Sequence, residues 1–265
     1  MQPHLYGHLS MDLRQTGEWT TEGLMPVTPD LVTPGGLRAS LAALLLEGSF
    51  GDNLLAHGFP VLSQMTFHLR DGGAGVDRLR AEGELVQLGK RRASGRGRVV
   101  DADDPDRLIG YGTIGFTMIR PEGDYMPVDL EESLEAEPEA YPDVSGKPLL
   151  EAMGMRVPPG EPVCELGGAI HPGVLGPEGR LHGGAHQLMH ETAAIAAATL
   201  ESGSERVLSA EQSIQFIAPA FEGPFIASAN VLSRSDDDLL CLVELRDSRG
   251  DAPRSMSTFR MRVLS

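Results

Sequence analysis

One acidic residue lies inside a long helix-like segment that follows a glycine-rich loop. Gly179, Gly183 and Gly184 fall in or at the end of this loop, and residues 185–202 contain neither glycine nor proline. This pattern predicts a loop that leads into a buried helix. Glu191 follows Gly184 by about two helical turns, and its neighbours one turn away are mostly apolar. Burial without an adjacent cation raises the pKa of a carboxyl group, which suits Glu191 to act as a general base or nucleophile. The alternative is an ordinary helical glutamate that reaches solvent.

The same segment carries three histidines at intervals of four residues. His182, His186 and His190 share one helix face, so a zinc site has to be considered. The first and third are about 12 Å apart along a helix, too far to bind one ion. No other histidine-rich stretch supplies a third ligand, so we expect no metal, with loop-capping and surface histidines as the simpler interpretation.

Composition narrows the class of protein. The chain has 265 residues and a net charge of −16, which disfavours a nucleic-acid partner because phosphate binding needs a basic surface. Cys164 and Cys241 match no metal-binding spacing and are best explained as buried thiols of a cytoplasmic protein. No signal peptide is evident and no apolar run approaches about 18 residues, so we expect no membrane segment.

The chain repeats one order of elements. A core helix at 36–46 precedes strands at 60–69, 79–88, 93–101 and 109–119, and an acidic, proline-rich linker follows. The second half contains a strand at 162–170, the helix that holds Glu191, and strands at 207–217, 224–232, 239–246 and 255–264. A further short strand is predicted at 19–25. We therefore predict an α+β protein with repeats at 1–120 and 149–265 and a linker at 121–148.

The repeats can be aligned by residue. Pro34, Gly35 and Gly36 align with His182, Gly183 and Gly184 at an offset of 148 residues. In this alignment Ala43 occupies the position that corresponds to Glu191, and Glu47 lies one turn later. The first repeat therefore has a degenerate motif.

These motifs resemble the PaaI-like hot-dog acyl-CoA thioesterases. The resemblance rests on the sequence Leu-His-Gly-Gly at 181–184, on Glu191 nine residues after His182, on Ser209, and on Phe-Ile-Ala-Pro-Ala at 216–220. It implies a tandem (double) hot-dog fold, in which two antiparallel sheets each wrap a long central helix. It also implies hydrolysis of an acyl- or aroyl-CoA thioester without a metal or organic cofactor, CoA being part of the substrate.

The resemblance assigns roles to particular residues. Glu191 corresponds to the base or nucleophile, between which the sequence does not choose, and Ser209 to the hydroxyl that holds the attacking water. Since Glu191 is about 12 Å along its own helix from Gly183, the oxyanion donors are expected from the partner helix, at Gly35 and Gly36. This predicts one composite catalytic site.

The converse site is expected to lack a carboxylate. It contains His182, Gly183 and Gly184, which we expect to bind substrate at most. A polar residue that the family places upstream of the histidine is replaced by Gly176.

A basic cluster is the last candidate for binding. Lys90 and Arg91, with Arg92, Arg96 and Arg98, could bind the phosphates of CoA, or could form a solvated hairpin turn. Two other functions are alternatives. One is a non-catalytic acyl-CoA-binding or scaffold protein of the same fold. The other is a hot-dog hydratase or dehydratase, which the sequence disfavours because the Asp/His pairing of such enzymes is not apparent. The resemblance also implies that tandem units associate into larger oligomers, and the sequence does not fix the number of units.

Overall fold

A computed structural model describes residues 5–50, 54–55, 57–119, 147–167, 172–176 and 179–265. The predicted linker at 121–148 lies outside the described residues except for Lys147 and Pro148. The end of the strand predicted at 162–170 also lies outside them. No helix among the described residues combines the length and the apolar character that a membrane span requires.

The first repeat contains two described helices, α1 (Leu5–His8) and α2 (Ala39–Ser49). Its strands are β1 (Asp12–Gln15), β2 (Thr20–Pro26), β3 (Val32–Thr33), β4 (Gly36–Leu37), β5 (Phe59–Leu69), β6 (Arg78–Leu88), β7 (Arg92–Asp101) and β8 (Leu108–Ile119), with a short 3-10 helix at Pro29–Leu31. The strands predicted between 60 and 119 are confirmed, each within one residue at its start. Buried and exposed side chains alternate along much of each strand, as expected for strands with one face on a core.

The second repeat contains the helices α3 (Leu149–Ala152) and α4 (Gly183–Ser202). Its strands are β9 (Met155–Arg156), β10 (Val163–Leu166), β11 (Val207–Phe216), β12 (Phe225–Ser235), β13 (Asp238–Arg246) and β14 (Ser255–Val263), with a 3-10 helix at Pro172–Val174. The long helix predicted from the loop pattern is confirmed, and it ends at Gly203 in the left-handed conformation with φ 71°.

Apart from the β3–β4 hairpin, the described strands form one continuous sheet, where we expected two. Twelve of the described strands pair in the order β1-β2-β6-β7-β8-β5-β11-β14-β13-β12-β10-β9. The repeats join where β5 pairs antiparallel with β11, and the hydroxyl oxygens of Thr66 and Ser213 lie 3.1 Å apart at the centre of this junction. The expectation of two separate sheets was wrong because each repeat leaves an open edge strand, and the two edges satisfy each other's backbone hydrogen bonds.

Each half of this sheet packs on a helix. α2 contacts β2 and β6, α4 contacts β12 and β13, and the two helices also contact each other. Every residue of α2 is buried, in agreement with its run of leucines and alanines. The two helices therefore lie at the centre, and their ends can approach each other.

The structure corrects the alignment of the repeats at the helices. α2 begins at Ala39 and α4 at Gly183, a separation of 144 residues, and Glu47 and Glu191 each lie eight residues after the start of their helix. The offset of 148 residues that pairs Gly35 and Gly36 with Gly183 and Gly184 was wrong here by about one turn. Glu47 is consequently the structural counterpart of Glu191.

Candidate active site

Glu191 is fully buried, and its carboxylate lies at the N-terminus of α2. Its Oε1 accepts a hydrogen bond from the backbone N–H of Ala39 at 2.8 Å, and its Oε2 accepts bonds from the N–H and the hydroxyl of Ser40. These N–H groups have no acceptor within their own helix. The carboxylate therefore occupies the position at which a thioester oxygen would have to bind in the predicted composite site.

The other residues of the predicted composite site lie apart from a helix N-terminus. Gly35 and Gly36 belong to the β3–β4 hairpin, and α2 begins three residues later. A Cβ atom on Gly35 would lie 2.0 Å from the carbonyl oxygen of Val207, so the hairpin packs directly on the start of β11. Ser209 is buried, and its hydroxyl lies 3.7 Å from the sulfur of Met261.

A carboxylate also faces the N-terminus of α4. An ideal Cβ on Gly183 would lie 3.0 Å from Oε1 of Glu47, and Gln187 donates a hydrogen bond from Nε2 to Oε2 of Glu47 at 2.6 Å. The expectation that the His182 site lacks a facing carboxylate was therefore wrong. The reason is the four-residue error in alignment, which placed Ala43 opposite this site instead of Glu47.

A second amide orients the first. Gln212 on β11 donates from its Nε2 to Oε1 of Gln187 at 2.9 Å. This bond leaves the Nε2 group of Gln187 to donate to Glu47. One oxygen of Glu47 is thereby held, and the other stays beside Gly183.

Glu47 and the start of α4 line a cavity of about 300 Å³. Its walls are mostly apolar and come from the ends of β5, β8 and β11 and from the loop before α4. The lining residues besides Glu47 are Phe59, Pro60, Val61, Leu62, Ser63, Thr117, Ile119, Gly176, Arg180, Leu181, His182, Gly183, His186, Phe216, Ile217, Ala218 and Pro219. A mostly apolar cavity with a few convergent polar groups is the usual form of a small-molecule site.

Burial shifts the proton affinity of Glu47. Its pKa is raised to about 8 because burial disfavours the charged form, while the hydrogen bond from Gln187 acts in the opposite direction. The pKa of Tyr6 is raised by its own burial and by the nearby charge of Glu47. A carboxyl group with a pKa near neutrality can accept and return a proton at physiological pH.

The start of α4 offers a hydrogen-bond donor beside this carboxylate. His182 caps the helix, since its Nδ1 accepts the N–H of Gly184 at 3.0 Å. As the first residue of the helix, Gly183 has an N–H group that no carbonyl of the same helix can accept. The 20-residue helix adds its positive end at this point. The site therefore places a potential base and a potential oxyanion donor side by side.

The remaining histidines of the motif contact β14, and His186 also lines the cavity. His186 and His190 are buried, and both contact the hydroxyl of Ser255. Burial lowers the pKa of each imidazole to about 3, so both are neutral at physiological pH. Neutral imidazoles hydrogen-bonded to serine hydroxyls account for their presence in the core.

The basic cluster begins in the turn between β6 and β7, with Lys90 and Arg91, and continues along β7. Arg96 and Arg98 form ion pairs with Glu84 and Glu82 on the neighbouring strand. Lys90 and Arg91 are exposed at the turn and do not line the cavity.

Comparisons with known proteins agree with this architecture. Residues 178–253 match the model of the family described as the thioesterase superfamily. No curated protein sequence matched the chain. The second repeat therefore contains a segment whose sequence is similar to the thioesterase superfamily.

Solved structures show the same fold over nearly the whole chain. A protein of Novosphingobium aromaticivorans, provisionally named a thioesterase, is 15% identical with a TM-score of 0.62, and the match covers 96% of this chain and 98% of that one. The tesB protein of Mycobacterium avium subsp. paratuberculosis is 15% identical with a TM-score of 0.60 and 98% coverage of both chains. A protein of unknown function with a hot-dog fold from Alicyclobacillus acidocaldarius is 13% identical with a TM-score of 0.59, covering 99% of this chain and 98% of that one. The resemblance to the hot-dog thioesterases is thus confirmed in fold, and the match of residues 178–253 to the thioesterase superfamily agrees with it.

The sequence predicted no role for Glu47 or for the two amides that hold it. The alignment of the repeats placed Glu47 one turn too far along, and no function was assigned to Gln187 or Gln212. The signal that could have found Glu47 is its distance from the start of its helix, since Glu47 follows Ala39 by eight residues just as Glu191 follows Gly183. No comparable signal marks Gln212, because its role depends on the pairing of β11 with the rest of the sheet.

Proposed function

We propose that the protein hydrolyses an acyl- or aroyl-CoA thioester in the cavity at the N-terminus of α4, with Glu47 as the base. The observation that carries this proposal is the position of Glu47: a buried carboxyl group with its pKa raised to about 8, beside Gly183 and on the wall of a cavity. The thioesterase-superfamily match of the second repeat, which supplies Gly183, supports the reaction class.

The chemistry follows from these groups. The thioester oxygen accepts the N–H of Gly183, and the positive end of α4 stabilises the charge that develops on it. Oε1 of Glu47 removes a proton from a water molecule, which attacks the carbonyl carbon. The C–S bond then breaks, and the thiolate leaves with the proton that Glu47 returns. Direct attack by Glu47 to form an anhydride is the alternative route, and its hydrolysis gives the same products.

The basic turn supports CoA as the leaving group. Met118 of β8 donates its N–H to the carbonyl oxygen of Arg91 at 3.0 Å, and the flanking Thr117 and Ile119 line the cavity. Lys90 and Arg91 therefore lie beside one wall of the cavity, where they could bind phosphate groups. This proximity favours the phosphate-binding interpretation over a merely solvated turn.

Two other assignments compete with this proposal. The first keeps Glu191 as the base, with Ser209, Gly35 and Gly36 in the composite site. Its carboxylate already accepts three hydrogen bonds from Ala39 and Ser40, which favours a structural role. The second is a binding protein of the same fold without catalysis.

The two glutamates form a matched pair for the test. We would measure thiol release from a panel of acyl- and aroyl-CoA esters with the wild type, Glu47→Gln and Glu191→Gln, after confirming folding by circular dichroism. Glu47→Gln is expected to lose about 100-fold or more in kcat, in the range for removal of a general base. Folded Glu191→Gln should stay within about fivefold of the wild type. The opposite ranking would support the composite site. Binding of the esters without thiol release would support the binding protein.

A further inference from the structure

His186 gives the cavity a polar group that the proposed hydrolysis does not use. It is 3% exposed and lines the same cavity as Glu47 and Gly183. Its Nδ1 lies 2.8 Å from the hydroxyl of Ser255, and its ring meets that of Phe216 edge-on at 5.3 Å. No described residue bonds to its Nε2, which is the nitrogen left for a ligand in the cavity.

The hydrogen bonds behind His186 form a chain into the core. Ser255 contacts Nδ1 of His186 and Nε2 of His190, each at 2.8 Å, and Ser257 contacts Nδ1 of His190 at 2.5 Å. All four groups are buried. Since neither imidazole is charged at physiological pH, each carries one proton and donates from one nitrogen while accepting at the other.

This chain is consistent in two directions. If His186 donates from Nδ1 to Ser255, Ser255 donates to His190 and His190 donates to Ser257, which leaves Nε2 of His186 as an acceptor. If Ser257 donates to His190, His190 donates to Ser255 and Ser255 donates to His186, which leaves Nε2 of His186 carrying a proton. His186 can therefore offer the cavity either an acceptor or a donor without taking a charge.

We propose that His186 selects thioesters whose acyl group carries a neutral oxygen substituent, a hydroxyl or an oxo group, near the thioester. This inference rests on the proposed function of the cavity. A hydroxyl would meet the acceptor form of His186, and an oxo group would meet the donor form. An unsubstituted acyl chain would leave a buried imidazole nitrogen without a partner, which disfavours binding.

Helix geometry places the substituent close to the reacting carbon. Gly183 and His186 are three residues apart, about 4.5 Å along the axis of α4. An oxygen at the third carbon of the acyl chain is within this range of a carbonyl bound at Gly183. A neutral imidazole supplies no positive charge, so recognition of a carboxylate substituent would depend on Arg180 of the lining and not on His186.

The test compares substrates that differ by one oxygen. We would measure kcat/KM for 3-hydroxybutyryl-CoA, acetoacetyl-CoA, butyryl-CoA and succinyl-CoA. The wild type is expected to favour the hydroxy and oxo esters over butyryl-CoA by about tenfold or more. Equal rates for these esters, or a preference for succinyl-CoA, would overturn the proposal. In the latter case Arg180 on the cavity wall would be the better candidate for recognition.

Variants identify the residue responsible. His186→Phe should bring the ratio close to one, and His186→Gln, which keeps a donor and an acceptor, should retain part of the preference. Thr117→Val, at another polar position of the lining, is the control and should keep the wild-type ratio. A ratio that persists in folded His186→Phe, or that disappears in Thr117→Val, would contradict the assignment.

The proposed function and this inference fail in distinguishable ways. If hydrolysis requires Glu47 but proceeds equally fast with and without the oxygen substituent, the proposed function stands and the role of His186 is wrong. If no ester is hydrolysed, calorimetric binding of 3-hydroxybutyryl-CoA and butyryl-CoA to the intact protein measures the same preference directly. Equal affinities would then overturn the inference.

Discussion

Gln187 of the second repeat holds Glu47 of the first by a hydrogen bond of 2.6 Å between Nε2 and Oε2. The bond stabilises the charged form of a carboxyl group that burial would otherwise keep protonated, and the balance leaves the pKa of Glu47 at about 8. The repeats thus supply the base and the group that adjusts it from opposite sides of their interface.

The first prediction concerns the pH dependence of activity. A base must be ionised to accept a proton, so kcat/KM should rise with pH and level off above about 8. In Gln187→Leu the opposing hydrogen bond is lost, so the midpoint should move to higher pH and the activity at pH 7 should fall. A pH–rate profile from 5 to 10 for both proteins checks this. A profile that is flat across this range would contradict the role of Glu47 as base.

The second prediction concerns stability. The pKa of Glu47 is raised from 4.5 to about 8 in the folded state, so the folded protein binds this proton more tightly than the unfolded chain does. The contribution of Glu47 is therefore most favourable below pH 4.5 and is lost as pH rises toward 8. Glu47→Gln has no such titrating group. Its free energy of unfolding relative to that of the wild type should therefore increase between pH 4.5 and 8, by up to about 1.4 kcal/mol per pH unit.

Urea unfolding at several pH values measures this difference. Glu201→Gln, an exposed change near the end of α4, is the matched control and should show no such slope. A difference between Glu47→Gln and the wild type that stays constant from pH 4.5 to 8 would mean that Glu47 is not buried in this state.

Periodicity predicted the elements of this fold well, while the site required contacts that are distant in the sequence. The strands from 59 to 119 and the helix that contains Glu191 could be located because each buries one face or one stripe. The start of α2 could not, since glycines at 35 and 36 mimic a helix entry although they form a hairpin turn, where Gly36 has a φ of 128°. Because of that error, the alignment placed Ala43 instead of Glu47 opposite the His182 site. The joining of the sheets through Thr66 and Ser213 also has no local signal.

The third prediction tests Glu191 as a structural residue. Glu191→Ala would leave the N–H groups of Ala39 and Ser40 buried without acceptors and would remove a negative charge from the positive end of α2. We expect a loss of about 2–4 kcal/mol in the free energy of unfolding, with Glu201→Ala as an exposed control near zero. Denaturant titration measures both. A loss of activity in Glu191→Ala without a loss of stability would favour the catalytic role instead.

The last prediction separates two adjacent glycines at the start of α4. A Cβ on Gly183 would meet Oε1 of Glu47 at 3.0 Å, so Gly183→Ala should displace the carboxylate and reduce kcat at least tenfold, with little change in stability. A Cβ on Gly184 would lie 2.4 Å from a methyl carbon of Leu44 on α2, inside the packed core. Gly184→Ala should therefore lower the free energy of unfolding by about 1–3 kcal/mol. Thermal melts and thiol-release rates on both variants distinguish these effects. Full activity in Gly183→Ala would show that the reacting groups do not lie where Glu47 faces the helix, whereas a stable Gly184→Ala would show that α2 and α4 can separate at this contact.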